Sequence, residues 1–115
     1  MRPLELANKY MKTVFTGTDL DDLYQLFTID LSFKGPLYEF DTAEAYIKSL
    51  KSDPPTDFEF TMINSFETES SACLIYHFSK PGVSCPMAQL FEISSGKISK
   101  ILLMFDTGAF VESGT

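Results

Sequence analysis

At 115 residues the chain has room for one domain built on a single core. Sixteen acidic against nine basic residues give a net charge of −7, which disfavours nucleic acid as a partner. No run approaches the ~18 apolar residues of a membrane span. The start, Met1-Arg2-Pro3-Leu4-Glu5-Leu6, has an early acid and no uninterrupted apolar core, unlike a secretory signal.

Hydrophobic content of 44% fits a soluble globular protein. One histidine and two separated cysteines make no recognisable metal site, and nothing in the chain asks for a cofactor. Cys73 and Cys85 fall out of opposition in the register derived below, so free thiols in a reducing cytoplasm are expected.

Pro3 suits the first turn of a helix, and Leu6, Ala7, Tyr10, Met11 and Val14 recur on one stripe until Gly17 ends it. Thr18 or Asp19 starts a second, shorter helix with Leu20, Leu23, Tyr24 and Phe27 inward. Leu31-Ser32-Phe33 alternates like a short strand, closed by Gly35-Pro36. Asp41 with Glu44 three residues on resembles a capping box. It opens a third helix through about Lys51, with Tyr46, Ile47 and Leu50 on its apolar side.

Four strand-like runs follow: Phe58–Phe66, Ala72–Ser79, Met87–Ile93 and Ile98–Asp106. The element order is helix, helix, short strand, helix, then antiparallel strands. That order describes an α+β domain with its helices segregated to one sheet face.

Two-residue turns centred on Glu69-Ser70, Pro81-Gly82 and Ser95-Gly96 sort the strands into two faces. One collects Phe58, Phe60, Met62, Asn64, Phe66, Cys73, Ile75, His77, Ala88, Leu90, Ile101, Leu103 and Phe105. This more uniformly apolar face is expected to meet the helices around a pocket. The other has Leu74, Tyr76, Met87, Gln89, Leu102 and Met104 at its centre. An exposed patch of that character marks an interface, and two such sheets packed together would make a homodimer. A bulge at Pro86 would turn Ala88 to the other face and bring Gln89 into the pocket in its place.

Three stretches carry a resemblance: Tyr10 to Gly17 followed by Thr18-Asp19-Leu20-Asp21, Phe27 to Pro36 reading FTIDLSFKGP, and Gly96-Lys97-Ile98 to Asp106. In order and spacing the chain resembles the nuclear-transport-factor-two-like superfamily over nearly its whole length, nearest to SnoaL-like and ketosteroid-isomerase-like proteins. The resemblance implies a single domain over 1–115. It would be a conical cystatin-like barrel of three N-terminal helices on a strongly bent, mostly antiparallel sheet, with an apolar pocket at the open end. It also implies pairing through the convex sheet face.

Isomerases of this kind use one carboxylate as base, with a tyrosine and a protonated carboxylic acid as oxyanion donors. The matching base position here is Gly35 and the acid position is Ala88; only Tyr10 matches the donor tyrosine. A steroid isomerase is therefore not expected.

His77 is the sole histidine, suited by its ordinary pKa to act as general acid or base. Asn64 on the same face can donate and accept, and Tyr10 can present its hydroxyl to the pocket. Phe60, Met62, Ala88, Leu103 and Phe105 complete the expected lining. Three readings stay open. The first is a binding domain for a small hydrophobic molecule. The second is a SnoaL-like isomerase, cyclase or hydrolase using His77 with Tyr10 or Asn64 as hydrogen-bond donors. The third is a non-catalytic dimerisation module.

Overall fold

The computed structural model describes residues 1–113. Helix α1 (Pro3–Thr16) starts where proline's fixed φ suits a first turn. The Arg2 backbone N–H donates to the Glu5 carboxylate there. The helix stops at Gly17, whose φ of +68° lets its N–H return to the carbonyls of Thr13 and Val14. A single 3-10 turn (Leu20–Asp22) and the one-turn helix α2 (Leu23–Leu26) follow. Leu20, Leu23, Leu26 and Phe27 are buried, but Tyr24, expected inward, is exposed, because Leu20, Leu23 and Leu26 recur every three residues through the 3-10 turn and α2 and take the inward side.

Strand β1 (Phe27–Lys34) is longer than the predicted Leu31–Phe33 and meets the two-residue strand β2 (Glu39–Phe40). Helix α3 (Ala43–Ser52) is capped by the Thr42 hydroxyl, which accepts from the Ala45 N–H; the cap lies one residue after the predicted Asp41. The remaining strands are β3 (Glu59–Glu67), β4 (Ser71–Lys80), β5 (Val83–Ser94) and β6 (Lys97–Phe105). A fourth helix, α4 (Gly108–Ser113), follows where none was predicted.

The helices cover one face of a six-stranded sheet ordered β2-β1-β6-β5-β4-β3, antiparallel except where β1 runs parallel to β6. The sheet is open, with β2 and β3 at its edges. β5 begins four residues before the predicted Met87, running through Pro86. Pairing with β6 starts only at Met87, so the N–H that Pro86 lacks is not needed on that side.

All three turns centre where the sequence puts them: Phe66 faces Cys73, Lys80 faces Val83 and Ser94 faces Lys97. Ser95 and Gly96 both have positive φ (+53° and +77°), the signature of a type I′ turn. The faces nevertheless differ from the expected ones, because two bulges interrupt the alternation. Met62 pairs with Tyr76 but Asn64 pairs with Ile75, leaving Ile63 as an extra residue. Ile93 pairs with Ile98 but Glu92 with Lys100, leaving Ser99 extra; its hydroxyl donates to the Glu92 carbonyl.

Each bulge swaps the faces beyond it. Phe58 and Phe60 therefore share the helix-facing side with Ala72, Leu74, Tyr76 and Phe78, and Ile101, Leu103 and Phe105 share it with Met87, Gln89 and Phe91. Leu74, Tyr76, Met87 and Gln89, expected on the outer surface, are thus buried. Cys73, Ile75, His77, Ala88 and Leu90, expected inside, alternate with them and face outward. Leu102 and Met104 lie outside as predicted, 40% and 45% exposed. No helix among the described residues is long and apolar enough to cross a membrane.

Gly17 is pinned twice, by its left-handed φ and by the Pro55 carbonyl oxygen 2.8 Å from where a Cβ would sit. Gly17→Ala is expected to destabilise the fold by about 1–3 kcal/mol. Urea unfolding monitored by far-ultraviolet circular dichroism measures that loss; an unchanged midpoint contradicts it.

Candidate ligand-binding pocket

Between the helices and the inner sheet face lies a cavity of about 380 Å³. Its walls are apolar: Val14 and Phe15 from α1, Phe33 from β1, Leu50 from α3, Met87 from β5, and Leu103 and Phe105 from β6. The Gly35–Tyr38 turn, Asp53 and Pro55 after α3, Lys80 at the end of β4 and Phe110 of α4 complete its lining.

Four of its polar side chains, from four different elements, bond to one another. Tyr10 sits on the inward stripe of α1 and Tyr46 on that of α3; Tyr76 and Gln89 come from adjacent strands and lie diagonally across the β4–β5 ladder. They form one hydrogen-bonded chain. The Tyr76 hydroxyl donates to Gln89 Oε1 (2.7 Å), Gln89 Nε2 donates to the Tyr10 oxygen (3.3 Å), and the Tyr10 and Tyr46 hydroxyls meet at 2.5 Å. Aromatic contacts hold the rings. Tyr10 packs edge-on to Phe91 (5.3 Å), and Tyr46 stacks on Phe33 (4.5 Å).

The chain does not use up its protons. Tyr10 and Tyr46 have two phenolic protons and their shared bond consumes one. Whichever oxygen donates, the other O–H is left over, because Tyr10 is the acceptor from Gln89. Gln89 Nε2 has a second proton as well. The chain is therefore a set of donors in search of an acceptor.

Burial fixes the protonation state. It pushes the Tyr10 hydroxyl up to about 12, partly offset by its hydrogen bonds with Tyr46 and Gln89. Burial, then the neighbouring Tyr10, pushes Tyr46 well above the ordinary tyrosine range. Tyr76 is raised likewise, by burial and then by Tyr10. At neutral pH all three are uncharged phenols that donate hydrogen bonds.

Of the residues expected to form the site, Tyr10, Leu103 and Phe105 line the cavity. Phe60 lies beside it against the Phe15 ring (4.6 Å), lining a shallower opening on the β3 side. Met62 is 37% exposed and outside the lining. His77 and Asn64 are on the surface: the His77 ring bonds the Ser84 hydroxyl (2.5 Å), and the Asn64 side chain accepts from the Ser65 N–H (2.8 Å). Ala88 faces outward opposite Met104. His77, Asn64 and Ala88 therefore do not belong to the pocket: the bulge at Ser99 parts Ala88 from Leu103 and Phe105, and the bulge at Ile63 accounts for Asn64 and His77. It let Phe58 and Phe60, which do face inward, appear continuous with Asn64 and with its strand partners around His77.

Tyr46 and Tyr76 are not among the expected site residues, and Gln89 is expected in the pocket only with a bulge at Pro86, where the β4–β5 pairing is in fact regular. The available signal was Gln89 itself, an amide inside an apolar run that needs buried partners.

Two measurements follow. Gln89→Leu leaves the buried Tyr76 hydroxyl without its acceptor and should cost about 1–3 kcal/mol in urea unfolding. Stability should also fall between pH 10 and about 12. The unfolded chain ionises its tyrosines near 10, whereas Tyr10 holds its proton to about 12, so below pH 10 its contribution is intact and above it the unfolded state gains. An unfolding midpoint flat across that interval would contradict the buried, protonated phenols.

No family model and no curated protein matches the sequence. Solved structures do. An NTF2-like protein of unknown function from Cytophaga hutchinsonii superposes with a TM-score of 0.82 at 18% identity, covering 96% of each chain. A candidate ketosteroid isomerase from Kribbella flavida gives 0.76 at 17%, over 89% of this chain and 76% of its own. An LEH-like epoxide hydrolase from Mycobacterium tuberculosis gives 0.78 at 12%, over 95% and 86%. Element order, an open six-stranded sheet and these superpositions agree: the chain has the NTF2-like fold.

Proposed function

We propose that the protein binds a largely apolar small molecule whose buried end presents a hydrogen-bond acceptor such as a carbonyl or ether oxygen. The observation that carries this reading is the unspent donor set on Tyr10, Tyr46 and Gln89, lining a cavity of about 380 Å³ whose other walls are mostly apolar. That volume lies toward the small end of the ~300–1,000 Å³ range of ligand pockets. Binding is favoured over proton-transfer catalysis because the polar groups in the pocket's depth are neutral donors. The one carboxylate in the lining is Asp53, which is exposed. Gly35 also lines the cavity, and a glycine has no side chain with which to abstract a proton. The two thiols, both free, fit the reducing compartment we propose for the protein.

Proton NMR of 2-nonanone and γ-decalactone with the protein tests this. Ligand lines should broaden, and Tyr10→Phe should weaken ketone binding about 5- to 10-fold, the worth of one buried hydrogen bond. Absence of broadening sinks the pocket reading. Loss of the signal from protons next to the carbonyl in heavy water would instead point to catalysis.

The proposal includes pairing of two copies through the outer sheet face. The apolar side chains for it are Phe66, 54% exposed, with Leu102 and Met104. Sedimentation equilibrium should give a dimer that becomes a monomer in Leu102→Glu; a wild-type monomer would remove this part.

A further inference from the structure

The mouth of the cavity carries a second kind of recognition. Lys80 ends β4 and lines the cavity half-buried, its Nζ 5.4 Å from the centre of the Phe58 ring and 5.2 Å from that of Phe110. Two aromatic faces thus hold the ammonium in place and strip part of its water. Among the described residues no carboxylate forms an ion pair with it, although the sequence has sixteen acids. Asp53, the other charged group in the lining, makes no ion pair with it either.

The deep end of the cavity is uncharged, with three protonated phenols and an amide. A ligand's anionic group would be costly there, since burying an unpaired charge is unfavourable. At the mouth the same group meets a partly desolvated cation that forms no ion pair among the described residues. The pocket is therefore polarised: neutral donors inside, apolar walls between, one cation at the rim.

We infer that Lys80 anchors the anionic end of the ligand, so that the molecule bound is an amphipathic monocarboxylate with its apolar body inside the cavity. This rests on the pocket reading above. It adds the ligand's charge, its orientation and a residue that sets specificity. Lys80 is a positioning group in this scheme; nothing is transferred to or from it.

The test compares decanoate with decanamide, which match in size and differ in charge, by displacement of the uncharged dye Nile red. Decanoate should bind about tenfold tighter than decanamide at low salt, with the advantage shrinking as ionic strength rises. Lys80→Gln should abolish that preference while leaving decanamide affinity within about twofold, and Lys80→Arg should retain it. The wild-type comparison needs no variant, and circular dichroism verifies that each variant is folded.

Equal affinities for the two probes in the wild-type protein would overturn the inference while leaving the pocket reading standing. A decanoate preference that survives Lys80→Gln but disappears in Tyr10→Phe would place the carboxylate at the deep end, and also overturn it. Failure of Nile red and both probes to bind would remove the pocket reading and this inference together.

Discussion

The interaction on which the rest of the arrangement depends is the hydrogen-bonded chain Tyr76–Gln89–Tyr10–Tyr46 in an apolar interior. None of its members can satisfy its polar atoms locally: α1, α3, β4 and β5 each supply one. Each buried hydroxyl or amide left without a partner would cost about 1–3 kcal/mol, a large share of the stability of a domain this size. Helices and sheet are therefore held to one relative placement by direction-dependent bonds as well as by non-directional apolar packing. The stacking of Tyr46 on Phe33 and the edge-on and tilted contacts of Tyr10 with Phe91 and Phe27 fix the ring orientations those bonds need.

Two bulges make that placement possible. A regular ladder would put every second residue of β3 and β6 on one face from end to end. Ile63 and Ser99 reverse the alternation partway, so that Phe60 and the adjoining Phe58 at one end of β3 and Ile101, Leu103 and Phe105 on β6 all face the helices. Such interruptions bend a strand and increase its local twist. The Ser99 hydroxyl, donating to the Glu92 carbonyl, shows how one is accommodated: an alternative donor serves a carbonyl beside the interrupted ladder.

Much of the architecture was legible in the sequence for reasons that are local. Proline and glycine punctuation marked α1, the Gly17 stop and the three tight turns, and turn centring gave the whole β4–β5 register and, in the other two hairpins, the register between the turn and the bulge. Inward Tyr10 and Tyr46 followed from helical periodicity. The cavity's polar inventory was not legible, because a bulge carries almost no composition signal of its own. Ile63 and Ser99 are ordinary strand residues, and Ile63 pushed Asn64 and its strand neighbours to the wrong side of the sheet. Pro86, the residue that did look like an interruption, sits in regular pairing opposite His77. Gln89 is in the pocket, as a bulge at Pro86 would have had it, but the cause is the way β4 and β5 turn their faces to the helices. The fourth helix was invisible for another reason, since six residues show too little periodicity to be distinguished from a loop.

Fold likeness to an epoxide hydrolase or to a candidate isomerase carries little of the functional argument, because one scaffold hosts many chemistries and identity here is below one residue in five. The site itself separates two kinds of work. Proton abstraction needs a base whose pKa lies near the operating pH and which reaches the reacting atom. Burial here moves Tyr10, Tyr46 and Tyr76 the other way, toward tighter hold on their protons. The same burial makes each phenol a persistent donor, because its charged form is disfavoured. On the binding reading proposed above, such donors would recognise an oxygen by where its lone pairs lie, and the burial that keeps them protonated also makes these tyrosines poor bases at neutral pH.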